Sequence, residues 1–344
     1  MTPLKLVGGF GSPYSRKMRA VLRFRRITFT WIMRGSPEDL GIPDVPVALI
    51  PVLVFPGEGG RTDDAMIDST FQIRRLEKMF AARSIVPPDP ALAFLDALLE
   101  DYADEWLTKP MFHYRWKYAA DIHKASHVLA LDRNPLMSRE TLAKMSSYIA
   151  DRQIERLRVV GSNEVTTPVI EASYRRILGL LDSHLVAGHR FLMGARPGAS
   201  DFGFFGQLSQ LAHFDPTPAA IAAAEHPRVV SWVSHLDDLS SLEVEDAGWL
   251  RREDAVVTLR PFLIEVGRVY APFLLANAHA LASHASEVRC EIDGRGWVQQ
   301  PFPYQGKCLQ WLREDREALS SADREFVDSA LKSTGADAIF RASI

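Results

Sequence analysis

Cysteine is scarce in this 344-residue chain, which has only Cys290 and Cys308. They form neither a C-x-x-C redox pair nor a zinc-ligand set, so a disulfide framework and a structural zinc module are both set aside. Long apolar runs are also missing. No stretch approaches the ~18 apolar residues of a membrane helix, and the N-terminus MTPLKLVGGF lacks the apolar core of a secretory signal. The cytoplasm is therefore the expected location, with no membrane partner. Neither sign of charge dominates: 40 Lys and Arg stand against 43 Asp and Glu, a net charge of −3. Such a balance provides no whole-protein field to recruit nucleic acid. No internal repeat or low-complexity tract is visible. What is present is ordinary for a soluble globular protein: 47% apolar and 24% charged residues, on a chain long enough for two domains.

The most informative stretch runs from Val47 to Phe80. Val52–Phe55 is a short β-branched and apolar run, closed by Pro56 and a Gly57–Gly60 turn. Ala65–Ile67 follows, and the pair reads as a β-hairpin. Asp68 and Ser69 then open a helix, with Ser69 and Gln72 spaced as a capping box and Ile73, Leu76 and Phe80 on one face. A hairpin that feeds a helix N-terminus leaves backbone N–H groups free to receive a carboxylate.

Upstream, Leu4–Val7 reads as a strand broken by Gly8-Gly9-Phe10-Gly11. Ser12-Pro13 then starts a helix: serine accepts from the first free N–H groups, and proline takes a position whose N–H would go unused. Met18, Val21, Leu22 and Phe24 face inward, while Arg16, Arg19, Arg23 and Arg26 are expected to form a solvated stripe. Thr28–Met33 completes β-α-β, and Gly35–Pro46 reads as a loop with a turn of helix. Residues 1–82 thus give the order β-α-β-loop-β-β-α.

Pro87-Pro88-Asp89-Pro90 is a stiff linker and marks a domain boundary. From Ala91 to about Leu242 the pattern is helical, with turns and a Gly161–Pro168 break expected within 132–170. Beyond 246 come a helical stretch (Leu259–Ala285), a hairpin around Asp293-Gly294, and helices over Tyr304–Leu319 and from Ser320/Ser321 to Ala330.

An Ile-Pro-Val-Leu strand followed by an acid-Ser pair at a helix start resembles the glutathione S-transferase family, and Ser12-Pro13-Tyr14 resembles its serine-type members. Gly188–Leu211 resembles the loop and central helix of that family, with Gly198 at the cap position and Asp201 as the acid. Glycine there costs only a few tenths of a kcal/mol relative to serine. The resemblance spans roughly residues 1–240. It implies an α/β thioredoxin-like glutathione-binding domain over 1–84 and an all-α helical-bundle domain over 91–245. Residues 246–344 are left as an α-rich C-terminal extension with a β-hairpin and no assigned role.

The same resemblance implies glutathione as co-substrate, with no metal. Ile50 would pair its backbone with the cysteinyl unit beside a cis Pro51, Asp68 would take the ammonium, and Ser69 the carboxylate. The family more often has Glu-Ser, so Asp68 is a shortened, same-charge departure. Ser12 would donate to the sulfur of glutathione, and together with the helix N-terminus would favour thiolate over thiol. The thiolate would then attack a small electrophile. Tyr14 and Ser15 are second-choice donors. No cysteine stands at 12, 14 or 15, which argues against exchange through a mixed disulfide. A homodimer is implied as well. The competing reading is a non-catalytic, binding or scaffold member of the fold that uses its extension for a partner.

Trp106, Phe112, Tyr114 and Trp116 are candidates to line an apolar electrophile pocket, although an aromatic stripe on a helix more often serves a core. His123 and His127 stand four apart, without a third ligand at fixed spacing. Glu100, Asp101, Asp104 and Glu105 are expected on a solvated face, and His213–Pro218 reads as a turn.

Overall fold

The computed structural model describes residues 2–57 and 63–341. The chain begins β1 (Leu4–Gly8), α1 (Pro13–Phe24), β2 (Phe29–Met33), a 3-10 turn at Pro37–Asp39, β3 (Val52–Phe55), β4 (Asp64–Met66) and α2 (Ser69–Met79). The sheet order is β2-β1-β3-β4, with β1 parallel to β2 and antiparallel to β3, and β3 antiparallel to β4. Val7, Ile32, Val52 and Val54 form a buried cluster on one face. Leu6 and Leu53, one residue along, are equally buried on the other, as period-two alternation in a sheet covered on both sides requires. This is a thioredoxin-like mixed sheet followed by helices. The expected Gly57–Gly60 turn lies, past Gly57, outside the described residues.

The helical part continues through α3 (Pro90–Glu105), α4 (Thr108–Lys117), α5 (Ala119–Leu131), α6 (Arg139–Glu155), α7 (Leu157–Val160), α8 (Thr167–Val186) and α9 (Ala199–Ser209). A π-helical turn at Gln210–Phe214, α10 (Pro216–Glu225) and α11 (Pro227–Leu236) follow. The last hundred residues hold α12 (Arg252–Thr258), α13 (Arg260–Glu265), α14 (Ala271–Ala282), the hairpin β5 (Val288–Ile292) and β6 (Arg295–Gln299), α15 (Pro303–Glu317), α16 (Ser321–Leu331) and α17 (Ala338–Arg341). None of the described helices is long and apolar enough to cross a membrane. Within the turns expected over 132–170 the chain forms α6, whose less exposed positions Leu142, Met145, Ser146, Ile149 and Ala150 recur at helical spacing. The Ser138 hydroxyl accepting from the Thr141 N–H, the Glu140–Lys144 pair, and good helix formers add to its stability.

Two compact units emerge. The first gathers Met1–Ile85, Tyr114–Ile154 and Phe202–Val244; the second gathers Val86–His113, Glu155–Asp201 and Glu245–Ile344. In the second, α15 and α16 pack against α3. This corrects the expected solvated acidic face: Glu100, Asp104 and Glu105 are at most 8% exposed. The Tyr270 hydroxyl donates to Asp101 Oδ2 at 2.6 Å. Burial pushes the Asp101 carboxyl up to about 7, and burial with the neighbouring Asp101 and Asp104 pushes Glu105 up to about 8. The β5–β6 hairpin turns at Asp293 and Gly294, both at positive φ, as a two-residue loop of this kind demands.

The start of α9 also lies in this unit. Asp201 accepts from the Leu192 and Gly198 N–H groups, both at 2.9 Å. In place of a hydroxyl at position 198, Asp96 of α3 supplies the cap: its carboxylate accepts from the Ala199 N–H (2.9 Å), the Ser200 N–H (3.0 Å) and the Ser200 hydroxyl (2.5 Å). A Cβ at Gly198 would overlap Asp96 Oδ1, so glycine there makes room for the borrowed cap.

Candidate functional site

Ser12, Ile50, Pro51, Asp68 and Ser69 all lie in the first unit. Ser12 is the N-cap of α1, at φ −98° and ψ 119°, and its Oγ accepts from the Ser15 N–H at 3.2 Å. A hydroxyl that accepts through a lone pair keeps its proton to donate, so capping and donation outward are compatible. Ser15 is buried, and a Cβ at Gly8 would come within 2.6 Å of its Oγ. The role of Ser15 is thus to seat the turn between β1 and α1. Tyr14 is half-buried.

That turn is clamped from behind. Arg115 of α4, 4% exposed, holds Asp215 through Nε and Nη2 (2.9 Å each) and donates Nη1 to the Gly11 carbonyl at 2.6 Å. Gln210 accepts from Arg115 at 2.8 Å and donates to the Phe10 carbonyl at 3.2 Å. Both carbonyls immediately before Ser12 are therefore fixed. Burial raises the Asp215 carboxyl pKa, against the pull of Arg115. Gly206 of α9 allows the Pro13 carbonyl to come close, since a Cβ there would sit 2.8 Å from it.

The second half of the site is the approach to α2. The Ile50–Pro51 bond is cis. Gln72 Nε2 donates to the Pro51 carbonyl at 3.0 Å and the Met66 carbonyl at 2.7 Å, tying the loop before β3 to the end of β4. This corrects the expected Ser69–Gln72 capping box. The Gln72 amide is held by its nitrogen, and its Oε1, the acceptor a capping box requires, makes no hydrogen bond among the described residues; the cap is Asp68, whose carboxylate accepts from the Thr70 N–H (3.1 Å) and more weakly from the Phe71 N–H (3.5 Å). Asp68 sits at φ 76° and ψ 107°, a strained conformation for a residue with a Cβ, and such strain persists only where the surroundings enforce it. Ser69 is 5% exposed, and its Oγ accepts from the ammonium of the wholly buried Lys17 at 3.2 Å.

Lys17, Arg115, Gln210 and Asp215 were not singled out from the sequence. For Lys17 a signal existed, because it stands four residues before Val21 on the buried face of α1, where a cation is out of place. Arg115 and Asp215 are a hundred residues apart and carry no local signal. The arginine stripe is solvated only at its Arg26 end: Arg16 and Arg19 reach Asp237 Oδ1 at 2.9 and 3.3 Å, and Arg23 reaches Oδ2 at 3.4 Å. Arg26 pairs with Glu243. Of the aromatic candidates, Trp106, Tyr114 and Trp116 are buried, and Phe112 is half-buried. His213–Pro218, expected as a turn, is instead the junction of the π-helical turn with α10, and the one residue between them, Asp215, is the partner of Arg115.

Residues 6–84 match the family described as "Glutathione S-transferase, N-terminal domain". The match covers the sheet and α2 and stops before α3. Among solved structures, the chain is similar to a glutathione S-transferase from Methylobacterium radiotolerans in complex with glutathione sulfonate, at 18% identity and TM-score 0.41, covering 69% of this chain and 91% of that one. A Tau class glutathione S-transferase from mango (Mangifera indica) is similar at 17% identity and TM-score 0.39, covering 74% and 96%. A maleylacetoacetate isomerase from Anaeromyxobacter dehalogenans with bound GSH is similar at 16% identity and TM-score 0.38, covering 68% and 89%. No curated protein matches the chain.

Proposed function

We propose that this chain is a glutathione S-transferase family protein that binds glutathione along the β3–α2 edge of its first 84 residues and activates the thiol for attack on a small electrophile. Residues 91–245 act in this reading as the helical second domain, and 246–344 as an extension. The observation that carries the proposal is the Asp68–Ser69 pair at the start of α2. Asp68 is held in a strained conformation, and the Ser69 hydroxyl accepts from the buried Lys17 ammonium. An ammonium suits the Asp68 carboxylate, and a carboxylate suits the Ser69 hydroxyl beside a helix N-terminus. Ile50, next to cis Pro51, offers backbone to the middle of the tripeptide.

At the other end of the ligand, the Ser12 hydroxyl donates to the sulfur and, with the α1 N-terminus, favours the thiolate. The sulfur lone pair then forms the new bond to the electrophilic carbon, and the leaving group departs with its own pair. Ser12→Ala removes one hydrogen bond to a charged group, a loss of about 1.5–3 kcal/mol. Turnover of a model aryl halide is expected to fall roughly 10- to 100-fold while glutathione affinity changes little. An equal loss in turnover and binding would reduce Ser12 to a helix cap.

A second reading, a non-catalytic binding member of the fold, is favoured by one observation. Ser12 is accounted for as the N-cap of α1, its Oγ accepting from the Ser15 N–H, a role that needs no thiol chemistry. Retention on immobilised glutathione without turnover of any model electrophile would select it.

A further inference from the structure

We propose that His123 and His127 of α5 form a two-imidazole site for a divalent transition-metal cation of the zinc, nickel or copper type. Residues four apart on a helix stack on the same face, and the two rings here lie with centroids 4.4 Å apart. They edge an open depression of about 460 Å³ that Ser126 on α5 and Ser146 and Ser147 on α6 also line. The sequence analysis noted the spacing, and the site proposed above makes no use of it.

The tautomer decides the matter for His127. Its Nδ1 lies 2.8 Å from the backbone carbonyl of His123, within the same helix. A carbonyl oxygen only accepts, so Nδ1 carries the proton and Nε2 is left with its lone pair. Ser126 Oγ, 3.2 Å from the same Nδ1, adds a second oxygen on that side. An N–H donated to a backbone carbonyl is the outer-shell arrangement that fixes the ring of a metal-bound histidine and raises its basicity. His123 makes no hydrogen bond through its ring among the described residues, so one of its nitrogens is free to face the same cation.

Two neutral nitrogens with hydroxyl neighbours suit a borderline cation and not calcium or magnesium, which call for carboxylate oxygens. No group of three or more histidines, cysteines or carboxylates positioned to hold a metal occurs among the described residues. Water or an external ligand would complete the coordination, and the ion would stay exchangeable. The inference is independent of glutathione binding, because Ser12, Asp68 and Ser69 take no part in it.

Calorimetric titration of the full chain with Zn²⁺ tests it. One equivalent is expected to bind, and His123→Ala and His127→Ala are each expected to abolish that binding while the far-ultraviolet circular dichroism stays unchanged. His235→Ala, which removes an exposed histidine elsewhere, should leave the titration as it is. Absence of binding in the unmodified chain, or unchanged binding in either His123→Ala or His127→Ala, would overturn the assignment.

Discussion

Gly198→Ser distinguishes a local capping rule from the tertiary structure that replaces it. By the local rule serine is the better N-cap, so the change should be neutral or gain a few tenths of a kcal/mol. The structure predicts the opposite. A Cβ at 198 would overlap Asp96 Oδ1 and come within 2.6 Å of Met193 Cγ. Asp96 has no room to retreat without releasing the Ala199 and Ser200 N–H groups and the Ser200 hydroxyl. Losing a buried hydrogen bond to a charged group costs about 1.5–3 kcal/mol, and overpacking costs about 1–3 kcal/mol. The new hydroxyl returns about 1 kcal/mol by capping. The net loss is expected at about 1.5–5 kcal/mol. Urea unfolding followed by tryptophan fluorescence reads it, since Trp106 and Trp297 are buried in the same unit. In Asp96→Ala/Gly198→Ser the clash with Asp96 is gone, only that with the flexible Met193 side chain remains, and serine caps alone, so the double variant should lose less than the two single losses combined, by at least about 1 kcal/mol. A neutral or stabilising Gly198→Ser, or strict additivity, would refute the reasoning.

Three further outcomes follow from the site and the second unit. Asp215→Ala strands the buried Arg115 guanidinium and should cost about 3–5 kcal/mol in the same unfolding assay. Arg115→Lys keeps the charge but loses the planar fork that holds Asp215 and Gly11 together. It should leave a folded protein whose turnover falls more than its glutathione affinity, because the carbonyls before Ser12 are no longer both pinned. The pH dependence has a definite sign. Asp101 and Glu105, raised to about 7 and about 8, hold protons in the native state that the unfolded chain releases above about pH 4. Their stabilising contribution is complete below that pH and is lost as pH rises through the folded values. Lys109, lowered by burial to about 7, acts in the opposite sense only above that pH. The thermal midpoint should therefore fall from pH 5 to 7, and Glu105→Gln should flatten the slope.

Where a residue's partners are its own neighbours in sequence, the sequence was informative. Asp293-Gly294 declared its hairpin because two positive φ angles are a local requirement, and Ser12-Pro13 declared the start of α1 because both the cap and the wasted N–H are local. The Val52–Phe55 run and the acid-Ser pair were equally readable, down to the candidate residues Asp68 and Ser69. Distant partners were not. Asp237 gathers Arg16, Arg19 and Arg23 from more than two hundred residues away, and Asp96 reaches α9 across a hundred. Nothing in the amphipathic pattern of α1 or the capping motif of α9 encodes those distances. The acids of α3 were misread for a related reason: charge implies solvent only until α15 and α16 cover the face. Even the Ser69–Gln72 spacing misled, because Asp68 takes the N-cap position one residue earlier and the Pro51 and Met66 carbonyls orient the Gln72 amide through its nitrogen.

Calorimetric titration of the full chain with reduced glutathione, run beside Ser69→Ala, addresses the central claim most directly. The account predicts saturable binding by the unmodified chain, weakened roughly 10- to 150-fold in the variant, the equivalent of about 1.5–3 kcal/mol for a lost hydrogen bond to a charged group. No binding by the unmodified chain, or the same affinity in both proteins, would contradict it.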